Sequence, residues 1–150
     1  MSPELLDPKQ IIAAAINREQ LSARNYETML QIVRNPQSQK IINRLRNEEL
    51  RHKRLLTQAL SSGELERIGK PQVSGKLPKP EQLGDESVDS GSSPREVLQF
   101  ALMHEQRAVE YYARYVDIFQ GTAIGELFVR LKREEEGHRE QLELMLSKLR

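Results

Sequence analysis

The chain has 150 residues, 23 basic against 22 acidic, a formal net charge of +1 and no cysteine. That length suits one ordinary core, the charge balance gives no electrostatic case for nucleic acid or a membrane surface as partner, and the missing thiols exclude disulfides, zinc ribbons, thiol catalysis and iron–sulfur clusters. The opening MSPELLDPKQ lacks the apolar core of a secretion signal, and no stretch approaches the ~20 apolar residues that span a bilayer, so a single cytoplasmic domain over 1–150 is expected.

Asp7-Pro8 reads as a helix start, with Asp as N-cap and Pro in the first helical position. A helix is predicted over about 8–33, its inward stripe running Ile12, Ile16, Glu19, Ala23, Tyr26, Leu30, Val33 by fours and threes. Asn35-Pro36 breaks and restarts the chain, and a second helix over about 36–61 carries Ile42, Leu45, Glu49, His52, Leu56 and Ala59. Residues from about 62 to 93, rich in Gly, Pro and Ser, are predicted to form a long linker with one helical turn around Glu64 to Ile68. Ser93-Pro94-Arg95-Glu96 is a capping box that opens a helix over about 94–119, with the stripe Leu98, Leu102, Glu105, Val109, Tyr112, Val116, Phe119. QGTAIG turns the chain into a last helix over about 123–148, carrying Phe128, Leu131, Glu135, His138, Leu142 and Met145.

The two halves repeat. Glu105, Tyr112, Glu135 and His138 each follow Glu19, Tyr26, Glu49 and His52 by 86 residues. Every stripe position of the first half falls on an apolar or identical position of the second. Two such hairpins, burying their stripes against each other, make an all-α four-helix bundle. Adjacent antiparallel helices need only a few linking residues. About thirty therefore indicate a crossover along the bundle, with the second and third long helices parallel.

Glu19, Glu49, His52, Glu105, Glu135 and His138 stand where the period asks for apolar residues. Glu19 and Glu49 lie some 16 and 14 residues from the first turn, which puts both at one level roughly 20–25 Å from it, and the second hairpin does the same. Glu and His at i, i+3 share a helix face. Four clustered buried carboxylates without counter-charge are strongly unfavourable. Two divalent cations neutralise them, and two imidazoles complete the donor set. Two single glutamates plus two Glu-x-x-His pairs form the pattern of di-iron and di-manganese carboxylate bundles. The competing reading is an ion-paired polar layer, which finds no inward Lys or Arg on the stripes.

The segments NREQLSARNY, NEELRH, MHEQRAVEYY and REEEGH resemble the ferritin-like superfamily, and its rubrerythrin-like branch most. The resemblance covers nearly all of the chain outside the linker. It implies a ferritin-like bundle holding two iron ions, with manganese or zinc as alternatives. Glu19 and Glu105 would be terminal ligands, His52 and His138 would each bind one metal, and Glu49 and Glu135 would be available to bridge. It also implies oxidation of ferrous iron by dioxygen or peroxide, and a homodimer. An external electron donor follows, because no cysteine exists for a rubredoxin-type iron. Ala108 and its repeat partner Ser22 stand where many peroxide-reducing rubrerythrins place an extra glutamate, and Leu50 stands where bacterioferritins place a haem-binding Met.

Other residues have two readings each. Tyr26 and Tyr112 lie two turns after Glu19 and Glu105, either donating to a ligand carboxylate of the other half or packing in the core with the hydroxyl reaching water. Arg44 and Arg130 are expected in solvent or in surface pairs, His104 on the surface, and Glu48 and Glu134 about 100° off the inward face. An oxygenase acting on an organic substrate would need room beside the metals, which Ala15, Ala23 and Ala101 could leave. A non-catalytic bundle holding zinc or manganese is the third possibility.

Overall fold

The computed structural model describes residues 4–5, 7–69, 72–73 and 91–149. Helix α1 (Pro8–Ile32) begins where the Lys9 N–H donates to the Asp7 carboxylate at 3.1 Å, and Pro8 brings no N–H that needs a partner. It ends as Val33 and Asn35 become extended, the conformation a following proline favours. Helix α2 (Pro36–Ser61) starts with the same device, Asn35 Oδ1 accepting from the N–H groups of Gln37 and Ser38. The short α3 (Glu64–Ile68) is the turn expected after α2, and it buries Leu65.

At the start of α4 (Pro94–Ile118) the capping box is complete. The Glu96 N–H donates to Ser93 Oγ and the Ser93 N–H to Glu96 Oε1, both at 3.1 Å. Helix α5 (Ala123–Lys148) is capped by Thr122, whose Oγ1 accepts from the Gly125 N–H. The turn before it needs glycine twice. Gly121 has φ of +82°, and a Cβ on Gly125 would sit 2.2 Å from the Phe119 carbonyl oxygen.

Glu4–Leu5 (β1) pairs antiparallel with Gln72–Val73 (β2), Glu4 opposite Val73. The sequence pattern gives no sign of this pair, because two residues are too few to show a period. Residues 70–71 and 74–90, most of the expected crossover, lie outside the described residues.

Tyr26 of α1 reaches Glu105 of α4, and Tyr112 of α4 reaches Glu19 of α1. The crossed numbering makes α1 and α4 antiparallel. Because α1 and α2 form a hairpin, α2 and α4 run parallel, the arrangement expected from the length of the segment between them. Among the described residues no helix is long and apolar enough to cross a membrane.

A polar layer divides the core. On one side Tyr111, Tyr112, Tyr115, Phe119 and Phe128 form an aromatic block with Ile12 and Leu56. On the other, Met29, Ile42, Leu45, Leu98, Leu142 and Met145 pack with Tyr26. Helices α1 and α4 bury a second stripe as well, including Ile11, Ala15, Arg18, Ser22 and Met29 on α1 and Ala101, His104, Ala108, Tyr111 and Tyr115 on α4. The helical period gives each helix one stripe and predicts Ile16, Leu30, Leu102 and Val116 inward. These four are only partly buried. The difference arises because α1 and α4 pack against each other as well as against their hairpin partners.

Candidate metal centre

Helices α1 and α4 each bring one glutamate to the polar layer, and α2 and α5 each bring Glu-x-x-His. Glu19, Glu49, His52, Glu105, Glu135 and His138 are all at most 2% exposed. Their donor atoms form two overlapping groups. Glu19, Glu49, His52 and Glu135 make one, and Glu49, Glu105, Glu135 and His138 make the other, with ligand atoms within 4.8 Å of one another in each. Glu49 and Glu135 belong to both. His52 Nδ1 lies 2.9 Å from Glu135 Oε1 and 3.5 Å from Glu19 Oε2. His138 Nδ1 lies 2.8 Å from Glu49 Oε1 and 3.7 Å from Glu105 Oε1. The two imidazoles lie nearly parallel, centroids 5.8 Å apart.

The inward atoms of this cluster are buried and make no hydrogen bond of good geometry, although each Nδ1 lies within ion-pair range of a carboxylate oxygen. They include both oxygens of Glu49 and of Glu135, one oxygen each of Glu19 and Glu105, and Nδ1 of both histidines. Buried acceptors in that number are strongly unfavourable unless cations satisfy them. Four carboxylates and two imidazole nitrogens are donors that suit divalent first-row metals. The residues present therefore fit a buried metal centre.

The outward atoms are held by partners. Tyr112 donates to Glu19 Oε1 and Tyr26 to Glu105 Oε1, each at 2.6 Å, so each phenol fixes the glutamate of the opposite hairpin. Burial and the neighbouring carboxylates push both phenols well up, which keeps them as neutral donors.

The histidines face outward to Glu48 and Glu134, which the sequence reading had set aside as off-face. His138 Nε2 lies 2.5 Å from Glu48 Oε2, and His52 Nε2 lies 3.4 Å from Glu134 Oε1. Arg51 and Arg130 in turn pair with Glu134. With a metal bound, a proton kept on Nε2 by these carboxylates would leave Nδ1 free to donate its electron pair toward the centre. The overlooked signal was the repeat itself, since Glu48 and Glu134 are 86 residues apart, each just before a Glu of the layer.

Electrostatics divides the four carboxylates into two pairs. Burial, with Glu105 and Glu19 nearby, pushes Glu49 up to about 7, and burial with the same neighbours raises Glu135 well above the carboxylate range. Glu19 and Glu105 go the other way. Burial opposes their ionisation but is outweighed by His52 and Tyr112 at Glu19 and by His138 and Tyr26 at Glu105. Burial alone would depress the histidines, yet the surrounding carboxylates lift His52 to about 11 and His138 well above its usual value. In the metal-free protein the imidazoles are thus the internal cations that the sequence reading did not find.

One expectation about neighbours changes. His104 is 4% exposed and so is not a surface residue, and Arg18, 86 residues before it in the repeat, is 2% exposed. They face each other across the second α1–α4 stripe, where Arg18 Nη2 donates to the His104 carbonyl at 2.9 Å. Arg44 and Arg130 are exposed, Arg130 pairing with Glu134 on its own helix.

A family model described as Rubrerythrin matches residues 10–88, just over half of the chain. A search of curated proteins gives no match. Among solved structures, a hypothetical protein from Pyrococcus furiosus superposes with a TM-score of 0.70 at 21% identity, over 93% of this chain and 87% of that one. A dodecameric thioferritin, the bacterioferritin-related protein from Bacteroides fragilis, superposes with a TM-score of 0.71 at 19% identity, over 93% and 83%. At these identities the two structures speak for the fold alone. The family match, with the repeated Glu and Glu-x-x-His donors around one buried layer, identifies the chain as a member of the rubrerythrin family.

Proposed function

We propose that the protein is a non-haem di-iron oxidoreductase that oxidises ferrous iron with dioxygen or reduces peroxide. The observation that supports this best is the pair of buried donor groups sharing Glu49 and Glu135. Two bound iron ions would supply two electrons, enough with two protons to take dioxygen to hydrogen peroxide or hydrogen peroxide to water. The chain supplies the geometry. Glu19 and Glu105 are pinned by phenols from the opposite hairpin, and His52 and His138 are oriented by Glu134 and Glu48. The aromatic and aliphatic blocks on either side exclude water from the layer. Reducing equivalents for turnover come from another molecule. Self-association, as a homodimer or a larger assembly, belongs to the same reading. The dodecamer of the Bacteroides fragilis protein motivates measuring the mass in solution.

An oxygenase acting on an organic substrate is less well supported. Ala15 and Ala23 are fully buried against neighbours, and the cavity that Ala101 lines beside Glu105 measures about 10 Å³, room for a water and not for a substrate. Anaerobic loading with ferrous iron, then optical spectra after adding oxygen or peroxide, tests the proposal. A di-ferric absorption band without organic substrate is expected. Tight zinc binding and no redox response would establish the non-catalytic reading instead.

A further inference from the structure

Resting on the dinuclear reading above, we propose that the cavity between α1 and α4 is a one-sided approach for a small neutral oxidant, dioxygen or hydrogen peroxide, to the Glu105–His138 half of the centre. The cavity measures about 10 Å³ and is lined by Ser22, Asn25, Met29, Phe100, Ala101 and Glu105, among others. It ends on a carboxylate of the metal layer, the one that Tyr26 holds. Its size admits one water-sized molecule and excludes a hydrated metal ion. Phe100, stacked at 6.2 Å on His104, is the one half-buried residue among those lining it and so bounds it toward solvent.

The repeat shows why the approach is one-sided. It carries the six donors and both phenols unchanged, but it replaces Asn25 by Tyr111 and Met29 by Tyr115. In the second half, the place of the cavity is taken by those rings. Tyr111 is 5.5 Å from Tyr112 and 5.0 Å from Tyr115, both buried, and its hydroxyl donates to the Ile11 carbonyl at 2.8 Å. The Glu19–His52 position therefore lies behind packed aromatic side chains, and the Glu105–His138 position lies behind a small void. Dioxygen and peroxide are the reactants of the proposed chemistry that are both neutral and small enough to use it.

The test uses nitric oxide as a neutral diatomic probe of the anaerobic, ferrous-loaded protein, followed by stopped-flow absorbance, with iron counted in every variant. Ala101→Leu fills the cavity, Phe100→Ala opens it, and Ala15→Leu makes the equivalent change on the sealed side. Nitric oxide association is expected to slow by at least about tenfold in Ala101→Leu, to quicken several-fold in Phe100→Ala, and to stay within about twofold in Ala15→Leu. With two iron ions still bound, equal slowing by both leucine variants, or no change in any variant, would overturn the proposal. Should a leucine variant fail to fold, Phe100→Ala decides alone, and no acceleration there overturns it. An iron count below two in the unaltered protein would instead defeat the dinuclear reading, and this inference with it.

Discussion

Glu49 and Glu135 contribute to both donor groups, whereas Glu48 and Glu134, one residue earlier, belong to neither and meet a histidine at its outward face. Glu49→Ala and Glu135→Ala are therefore expected to abolish binding of the second ion. Glu48→Ala and Glu134→Ala should keep both ions and weaken their binding by roughly 10–100-fold. Competition against a chelating dye measures both, and equal loss from the two sets would mean the register is wrong. Tyr112→Phe and Tyr26→Phe each remove one 2.6 Å bond to a buried carboxylate. Each should cost the metal-free protein about 1.5–3 kcal/mol by urea unfolding, because the acceptor is ionised. The six inward residues were legible because they interrupt a helical period twice at one offset. The roles of Glu48 and Glu134 were not, because a helical wheel gives direction from a residue's own axis. These two glutamates act on a histidine projecting from the facing helix.

At the level of elements, the starts of the long helices were readable because proline and a short polar cap sit where backbone donors need partners. The two-residue β1–β2 pair and the second stripes of α1 and α4 were not. A stripe is visible when one face is buried, and these two helices bury a broader arc against two neighbours. His104, a polar residue in that second stripe, is expected on the surface from the sequence for the same reason and is buried instead. Glycines of α5 provide a paired test. A Cβ at Gly125 would meet the Phe119 carbonyl oxygen at 2.2 Å, whereas one at Gly137 meets nothing within 4 Å. Gly125→Ala should destabilise by about 1–3 kcal/mol through forced movement of the turn. Gly137→Ala should stabilise by up to about 1 kcal/mol through helix propensity. Thermal melts of the two variants would show opposite shifts, and a shared sign would contradict this account of the α4–α5 turn.

For the whole molecule, stability should depend on pH through the metal layer. Glu49 and Glu135 are raised above the ordinary 4.5, Glu49 to about 7, and His52 and His138 are raised above 6.5, His52 to about 11. The native state thus holds more protons on these groups than the unfolded chain. Their contribution is full below the unfolded values and is lost as pH rises through the folded ones, at about 7 for Glu49 and about 11 for His52. Glu19 and Glu105, depressed, act oppositely and lose their contribution as pH falls below 4.5. The metal-free protein should therefore be most stable in mildly acidic solution and weaken toward alkaline pH. Uniform raising of all four carboxylates, the simplest expectation from clustering, fails because the imidazoles and phenols favour the ionised form of two of them. Metal binds deprotonated donors, so the gap in melting temperature between iron-loaded and chelated protein should widen between about pH 5 and 7.5. A flat gap would count against the clustered site. The central claim is that two ions share two glutamates. Anomalous X-ray diffraction at the iron edge, from crystals loaded anaerobically with ferrous iron, tests that claim most directly. The account predicts two peaks, one among Glu19, His52, Glu49 and Glu135 and one among Glu105, His138, Glu49 and Glu135. A single peak, or iron lying away from this layer, would contradict it.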